Sequence, residues 1–169
     1  ATDQMAKDLL DKGFRVRIDD SDKSPGWKFA EHEMKGVPVR IEIGPRDLER
    51  GEVVVVTRHD RNKVTMPATE VPSMMTGILD RMHDTMLQNA RAFVESHTYK
   101  ASTYDDFKAR IKAGGYVLMS ISGEEAETRI KADTGATARI IPFDQTLITD
   151  TCPVTGEKAV MTVMFARAY

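Results

Sequence analysis

The sequence predicts an α/β protein in which short strands alternate with short helices, and three observations carry that expectation. Val37, Val39, Ile41 and Ile43 share one parity of a run whose other parity holds Arg40 and Glu42, the two-residue period of a strand covered on one face. Val53-Val54-Val55-Val56 is apolar on both parities, as expected of a strand covered on both faces. Helical spacing and capping residues fill the intervals, and elements alternating in this way build layered α/β architectures.

Taken in order, Thr2 or Asp3 caps a short helix that carries Met5, Leu9 and Leu10 and ends at Gly13. Phe14, Val16 and Ile18 alternate with Arg15, Arg17 and Asp19, which reads as a half-buried strand. The stretch from Asp20 to Gly26 is a loop by its turn chemistry. Trp27 to Lys35 suits a short helix closed by Gly36. From Thr69 the pattern changes. Val71, Met75, Ile78, Met82, Met86, Ala90 and Phe93 recur at spacings of three and four, the apolar stripe of a long helix. Its methionines read as core filling rather than as a binding surface. A further helix is expected over 103–112, stopped by Gly114-Gly115. Then come a strand at 116–121, a helix at 124–132, and strands at 138–141 and 160–165. A boundary between two domains falls inside the long helix or just before it.

Composition excludes more than it selects. At 169 residues, with 41% hydrophobic and 30% charged residues, the chain suits one large domain or two small ones. A net charge of -2 gives no bulk attraction for nucleic acid, so any such site must be local. No apolar run approaches the roughly 18 residues of a membrane helix. No secretory signal is read at the N-terminus. The single cysteine, Cys152, rules out an internal disulfide and agrees with a reducing compartment, so the cytoplasm is expected. There is no G-x-G-x-x-G after a strand, no P-loop and no G-x-S-x-G elbow. His32, His59, His83 and His97 lack metal-ligand spacing and read as surface or helix histidines. Cys152, in a turn with no histidine nearby in sequence, reads as structural rather than as a nucleophile.

The run from Ser24 to Gly51 is informative as a whole. Phe29, Glu33, Gly36, Pro38, Arg40, Gly44, Pro45, Arg46 and Asp47 stand in it at the spacing of a known family, and the run resembles the anticodon-binding domain of prolyl-tRNA synthetases. Downstream, Ile130-Lys131, Thr134-Gly135-Ala136-Thr137, Arg139, Ile141-Pro142 and the ending Phe165-Ala-Arg-Ala-Tyr169 resemble the extra C-terminal domain of the archaeal/eukaryotic-like subgroup. The resemblance implies an anticodon-binding domain at 1–70, a mixed sheet with flanking helices that lacks its first strand, and a small α+β C-terminal domain at 71–169. It also implies that the chain is a fragment. The class II catalytic core, which attaches proline to tRNA-Pro using ATP and Mg, is absent from it. The implied partners are tRNA-Pro and that catalytic core, in a parent enzyme that is a homodimer, with neither membrane nor DNA involved.

By the same resemblance, Phe29, Glu33, Arg40, Asp47 and Lys63 match family positions that contact the anticodon. The chemistry suits the task. Proline anticodons carry two adjacent guanines, whose Watson–Crick edge offers N1–H and N2–H donors while O6 and N7 accept. A carboxylate, a cation and a stacking ring answer these needs. Phe29 and Glu33, four apart, share one helix face. Arg40 lies on the polar parity of the next strand, and Asp47 and Lys63 are expected in the loops after that strand and the one following. Plainer readings stand beside these: Phe29 as core, Glu33 as a solvated carboxylate, Arg40 with Glu42 as an ion pair of little worth, and Asp47 as a turn cap.

Many members of the subgroup bind a structural zinc through four cysteines. Here Cys152 remains, Ala126 and Thr155 stand at two other ligand positions, and Ile121 or Ser122 at the last. One thiolate does not build a tetrahedral site, so no zinc is expected. Packing by Tyr116, Leu118, Ile130, Ile141, Val163 and Phe165 is expected to hold that domain instead. Tyr169, matching the family's terminal tyrosine, is a candidate contact with the catalytic core. A protein-interaction or dimerisation module on the same α/β domain is the competing function, and a small-molecule enzyme ranks last for want of a nucleophile and base.

Overall fold

A long helix, Val71–Ser96, runs through the middle of the chain, and the chain divides within it, between Gln88 and Asn89, into two units. The computed structural model describes residues 2–168.

In the first unit α1 (Thr2–Asp11), α2 (Pro25–Met34) and α3 (Pro45–Glu49) accompany β1 (Val39–Glu42), β2 (Glu52–Thr57) and β3 (Lys63–Pro67), followed by the N-terminal part of α4 (Val71–Ser96). The described sheet is antiparallel throughout, in the order β1-β2-β3. Strand parity separates its faces as the sequence requires. Val39, Ile41, Val53 and Val55 join Met5, Leu9, Val71, Met75 and Ile78 in one core, while Arg40 and Glu42 project from the other face.

Four expectations need correction here. Phe14 and Val16 do pack on this core, but residues 14–18 form no strand, because no strand of the sheet lies alongside to supply a ladder. Lys63 opens β3 rather than sitting in a loop, and Leu10 is exposed. The stripe on α4 is buried at Val71, Met75, Ile78 and Met82, yet Met86 and Phe93 are exposed. The helix has 26 residues, about 39 Å at 1.5 Å per residue, whereas the six residues of β2 span only about 20 Å, so the helix outruns the sheet it covers.

The second unit adds β4 (Thr98–Lys100), α5 (Tyr104–Ala113), β5 (Tyr116–Ile121), α6 (Glu124–Thr134), β6 (Ala136–Ile140) and β7 (Met161–Arg167). Its sheet runs β4-β5-β7-β6, parallel between β4 and β5 and antiparallel elsewhere. Thr103 caps α5 by accepting from the Asp106 N–H, and Gly115 turns the chain back into β5. Gly115 has φ +107°, and a Cβ there would stand 2.6 Å from the His97 carbonyl oxygen, so the return requires glycine.

The core of this unit is Phe107 and Ile111 from α5, Ile130 from α6, Val117, Met119 and Ile121 from β5, and Val163 and Phe165 from β7. Ile130, Val163 and Phe165 are therefore core as expected. Tyr116 and Leu118 are only half-buried, since the opposite parity of β5 faces the helices, and Ile141 is exposed beyond the end of β6. Ser120, on the parity of Tyr116 and Leu118, is nevertheless buried. Its hydroxyl is buried but satisfied, accepting from the Ile148 N–H at 2.8 Å and lying 3.3 Å from Thr162 Oγ1, which ties the 141–150 loop to the sheet.

Phe107 is fully buried and meets Phe165 edge-on, with ring centroids 5.5 Å apart. Phe107→Ala is expected to cost about 3–5 kcal/mol of second-unit stability by removing buried ring surface and leaving a cavity. Urea unfolding followed by amide exchange in β5 and β7 checks this.

Candidate nucleic-acid interface

The polar face of the first sheet is built by local rules. Ser24 Oγ accepts from the Trp27 N–H at 3.4 Å and Pro25 occupies the first turn, which fixes the start of α2. That start places Phe29 and Glu33 one turn apart and both half-buried. Arg40, second in β1, projects toward them. Its guanidinium carbon lies 3.8 Å from the centroid of the Phe29 ring, Nη1 donates to Glu33 Oε1 at 2.8 Å, and Nε donates to Glu42 Oε1 at 2.9 Å. Arg40 thus stacks on a ring and joins a helix carboxylate to a strand carboxylate.

The cross-strand register extends the cluster. Arg40 stands opposite Val56 and Val56 opposite Lys63, so the two cations share one row, and Lys63 Nζ comes within 3.7 Å of Glu42 Oε1. The β2–β3 turn adds another cation. Asp60 accepts from the Thr57 hydroxyl and from the Asn62 N–H, which tightens the turn and leaves Arg61 at φ 56° with Nη2 3.8 Å from Glu33 Oε2. Arg58 lines a small recess with Glu33 and Arg40.

Of the five site residues, Phe29, Glu33 and Arg40 are in direct contact, and Lys63 joins them through Glu42. Asp47 is engaged elsewhere: its Oδ2 accepts from the Gly44 N–H at 3.2 Å at the start of α3, the turn-capping role. A Cβ on Gly44 would lie 2.9 Å from that oxygen, so the cap and the glycine belong together. Tyr169 lies outside the described residues.

The Arg40–Glu42 ion pair read from strand parity is present. Sequence reasoning missed Arg58 and Arg61, which join the candidate site only once β3 is recognised, because the hairpin then brings its turn to Glu33.

Charge around Glu33 favours its ionised form. The Arg40 hydrogen bond is the largest influence and, with the lesser help of the Arg61, Arg40 and Arg58 charges, holds the carboxyl below its usual range against the opposing effect of burial. The group is therefore acceptor-only at neutral pH, as a receptor for N–H donors must be. Beside it, His32 Nε2 lies 2.8 Å from Asp19 Oδ2 and Lys28 Nζ donates to the Asp19 carbonyl at 3.1 Å. These contacts bind the 19–24 loop to α2. Hydrogen bonds from Ser21 and His32 push the Asp19 carboxyl well below its usual range.

In the second unit, the positions that would face a zinc form a different cluster. Ser122 Oγ and Thr155 Oγ1 are 2.9 Å apart beside buried Cys152 and buried Ala126. Burial raises the Cys152 thiol, and hydrogen bonding from Thr155, Val154 and Ser122 outweighs it, leaving the pKa below the usual thiol value. Among the described residues no group of three or more His, Cys, Asp or Glu is arranged to hold a metal.

Because the Arg40 bond is the largest influence on Glu33, Arg40→Ala is expected to move the Glu33 carboxyl back up toward its ordinary value. The depressed folded-state pKa means that the stabilisation from this pair is present at neutral pH and is lost as pH falls through the folded value. A carboxyl carbon NMR titration of the wild type and the variant reads both effects.

Comparison with known proteins agrees with this geometry. Residues 1–77 match the family described as "Anticodon binding domain", and residues 104–169 match "Prolyl-tRNA synthetase, C-terminal". The chain is 48% identical over 161 residues to the Proline--tRNA ligase of Aster yellows witches'-broom phytoplasma (strain AYWB), covering 95% of this chain and 34% of that protein. It is 44% identical over 168 residues to the Proline--tRNA ligase of Lachnospira eligens, covering 98% and 35%. To that of Clostridium botulinum (strain Loch Maree / Type A3) it is 42% identical over 165 residues, covering 96% and 34%. The chain thus spans about a third of the length of the curated relatives it matches. A ring, a carboxylate and cations gathered on one sheet face, with both family matches in the order read from the sequence, lead to one conclusion: the chain consists of an anticodon-binding domain followed by the C-terminal domain of prolyl-tRNA synthetases.

Proposed function

We propose that the first domain reads the two guanines of the tRNA-Pro anticodon. The observation that carries this reading is the convergence of Phe29, Glu33 and Arg40. Phe29 supplies a stacking surface for an unpaired base, and Glu33, kept ionised, accepts from guanine N1–H and N2–H. Arg40 fixes both groups and brings positive charge to the base. Lys63, exposed at the end of the same row, serves the guanine acceptors or the neighbouring phosphate. Asp47 contributes from α3 beyond its capping bond.

The wider assignment extends the family resemblance. The domains are taken as 1–70 and 71–169. The enzyme to which they belong attaches proline to tRNA-Pro with ATP and Mg, works in the cytoplasm and is a homodimer of the archaeal/eukaryotic-like subgroup. The named relatives are bacterial, so the subgroup rests on the C-terminal motifs alone. Tyr169 is proposed, from the resemblance alone, as a candidate contact with the catalytic core. No described helix is long and apolar enough to cross a membrane.

Binding of tRNA-Pro transcripts with single anticodon substitutions tests the reading. The wild type is expected to prefer the native guanines, and Glu33→Ala to lose about 1–3 kcal/mol of discrimination at one of them. An unchanged preference in the variant removes Glu33 from the readout. Elemental analysis tests the second domain, where zinc well below one equivalent is expected and a stoichiometric amount contradicts the proposal.

A further inference from the structure

Beside the base-reading residues stands an arginine whose guanidinium has no partner. Arg58 follows β2 directly, and its backbone N–H donates to the Pro38 carbonyl at 2.9 Å, which holds it against the chain entering β1. Its half-buried side chain shares a recess with His32, Glu33, Val37, Arg40 and Val56. The neighbouring cations are engaged. Arg40 is bound to Glu33, Glu42 and the Phe29 ring, Arg61 pairs with Glu33, and Lys63 approaches Glu42. Arg58 forms no ion pair and no side-chain hydrogen bond among the described residues, and its Nε is shut away from solvent with no acceptor.

A charged donor in that state costs free energy until something supplies an oxygen or nitrogen lone pair. The supplier must be compatible with Glu33, which accepts and carries negative charge. Guanine meets both demands. Its N1–H and N2–H donors suit the carboxylate, and O6, next to N1 on the same ring, together with N7 offers acceptors to the adjacent cation. An arginine fork fits O6 and N7 together, which an ammonium does not.

We propose that Arg58 is a specificity-determining residue of this face, donating to O6 and N7 of the guanine whose Watson–Crick donors Glu33 accepts. Arg40, whose Nε and Nη1 are bound to Glu42 and Glu33, is then chiefly the positioning residue and Arg58 the reader of these two acceptors. This inference rests on the anticodon reading proposed above.

The test compares the 169-residue protein and its Arg58→Gln and Arg58→Lys variants on tRNA-Pro transcripts. The transcripts carry guanine, 7-deazaguanine or 6-thioguanine at each of the two anticodon guanines. Arg58→Gln is expected to weaken binding of the all-guanine transcript roughly tenfold, with Arg58→Lys recovering only part of that loss. At one of the two positions the analogues are expected to abolish the penalty, leaving wild type and Arg58→Gln within about twofold of each other. A penalty equal on every transcript makes Arg58 a phosphate contact and overturns the proposal, as does no penalty at all. Far-UV circular dichroism identifies a misfolded variant, in which case Arg58→Lys carries the comparison. If the wild type itself ignores anticodon substitutions, the anticodon reading has failed and this inference falls with it, an outcome distinct from a wild type that discriminates and an Arg58→Gln variant that matches it.

Discussion

Arg40 is the joint on which the polar face of the first domain depends. One guanidinium covers the Phe29 ring, binds the Glu33 carboxylate and binds Glu42 on its own strand. Exposed ion pairs contribute little, since solvent screens them and ordering two long side chains costs entropy. Here the partners are half-buried and the same cation satisfies both carboxylates, so one ordered side chain fixes three others. The result is a ring and an acceptor held at a fixed spacing before any ligand arrives. Preorganisation of this kind lowers the ordering cost of binding and sharpens discrimination between similar ligands.

The face also reconciles a mildly acidic chain with the nucleic-acid partner proposed for it. Arg40, Arg58, Arg61 and Lys63 surround Glu33 and Glu42, so the local balance is positive although the whole chain carries -2. Such a cluster attracts phosphate at short range, while the embedded carboxylates reserve places for N–H donors. Base-reading chemistry and backbone attraction can therefore share one sheet face without a basic protein around it.

Much of this was legible in the sequence, for identifiable reasons. The parity of Val39, Ile41 and Arg40 fixed which face each residue takes, and Gly36 closed α2, although Pro25 and Gly26, read as loop, belong to its first turn behind the Ser24 cap. The elements of the second domain from α5 onward were also readable, because caps, glycines and apolar runs coincide there. What failed depended on distant partners. Phe14 and Val16 have strand periodicity without a neighbouring strand, and β3, exposed along most of its length, gave no apolar pattern. The short β4 had too few residues to register. In β5 the burial of the Ser120 hydroxyl was not legible, since its backbone partner Ile148 lies in a loop 28 residues away. Among the candidate site residues, Phe29, Glu33 and Arg40 were singled out by the family resemblance, with spacing adding only that Phe29 and Glu33 share a helix face, and the guanidiniums of Arg58 and Arg61 needed the hairpin first.

The strand order of the second domain bears on how the chain is made. β7 lies between β5 and β6, both of which precede it in the sequence. Until residues 161–167 leave the ribosome, β5 and β6 have no common neighbour, and Phe107 has no Phe165 to close over it. Nascent chains therefore hold this apolar surface open until the last strand emerges, a window in which chaperones or aggregation partners compete for it. The first domain, whose sheet is assembled from hairpin neighbours in order, has no such delay.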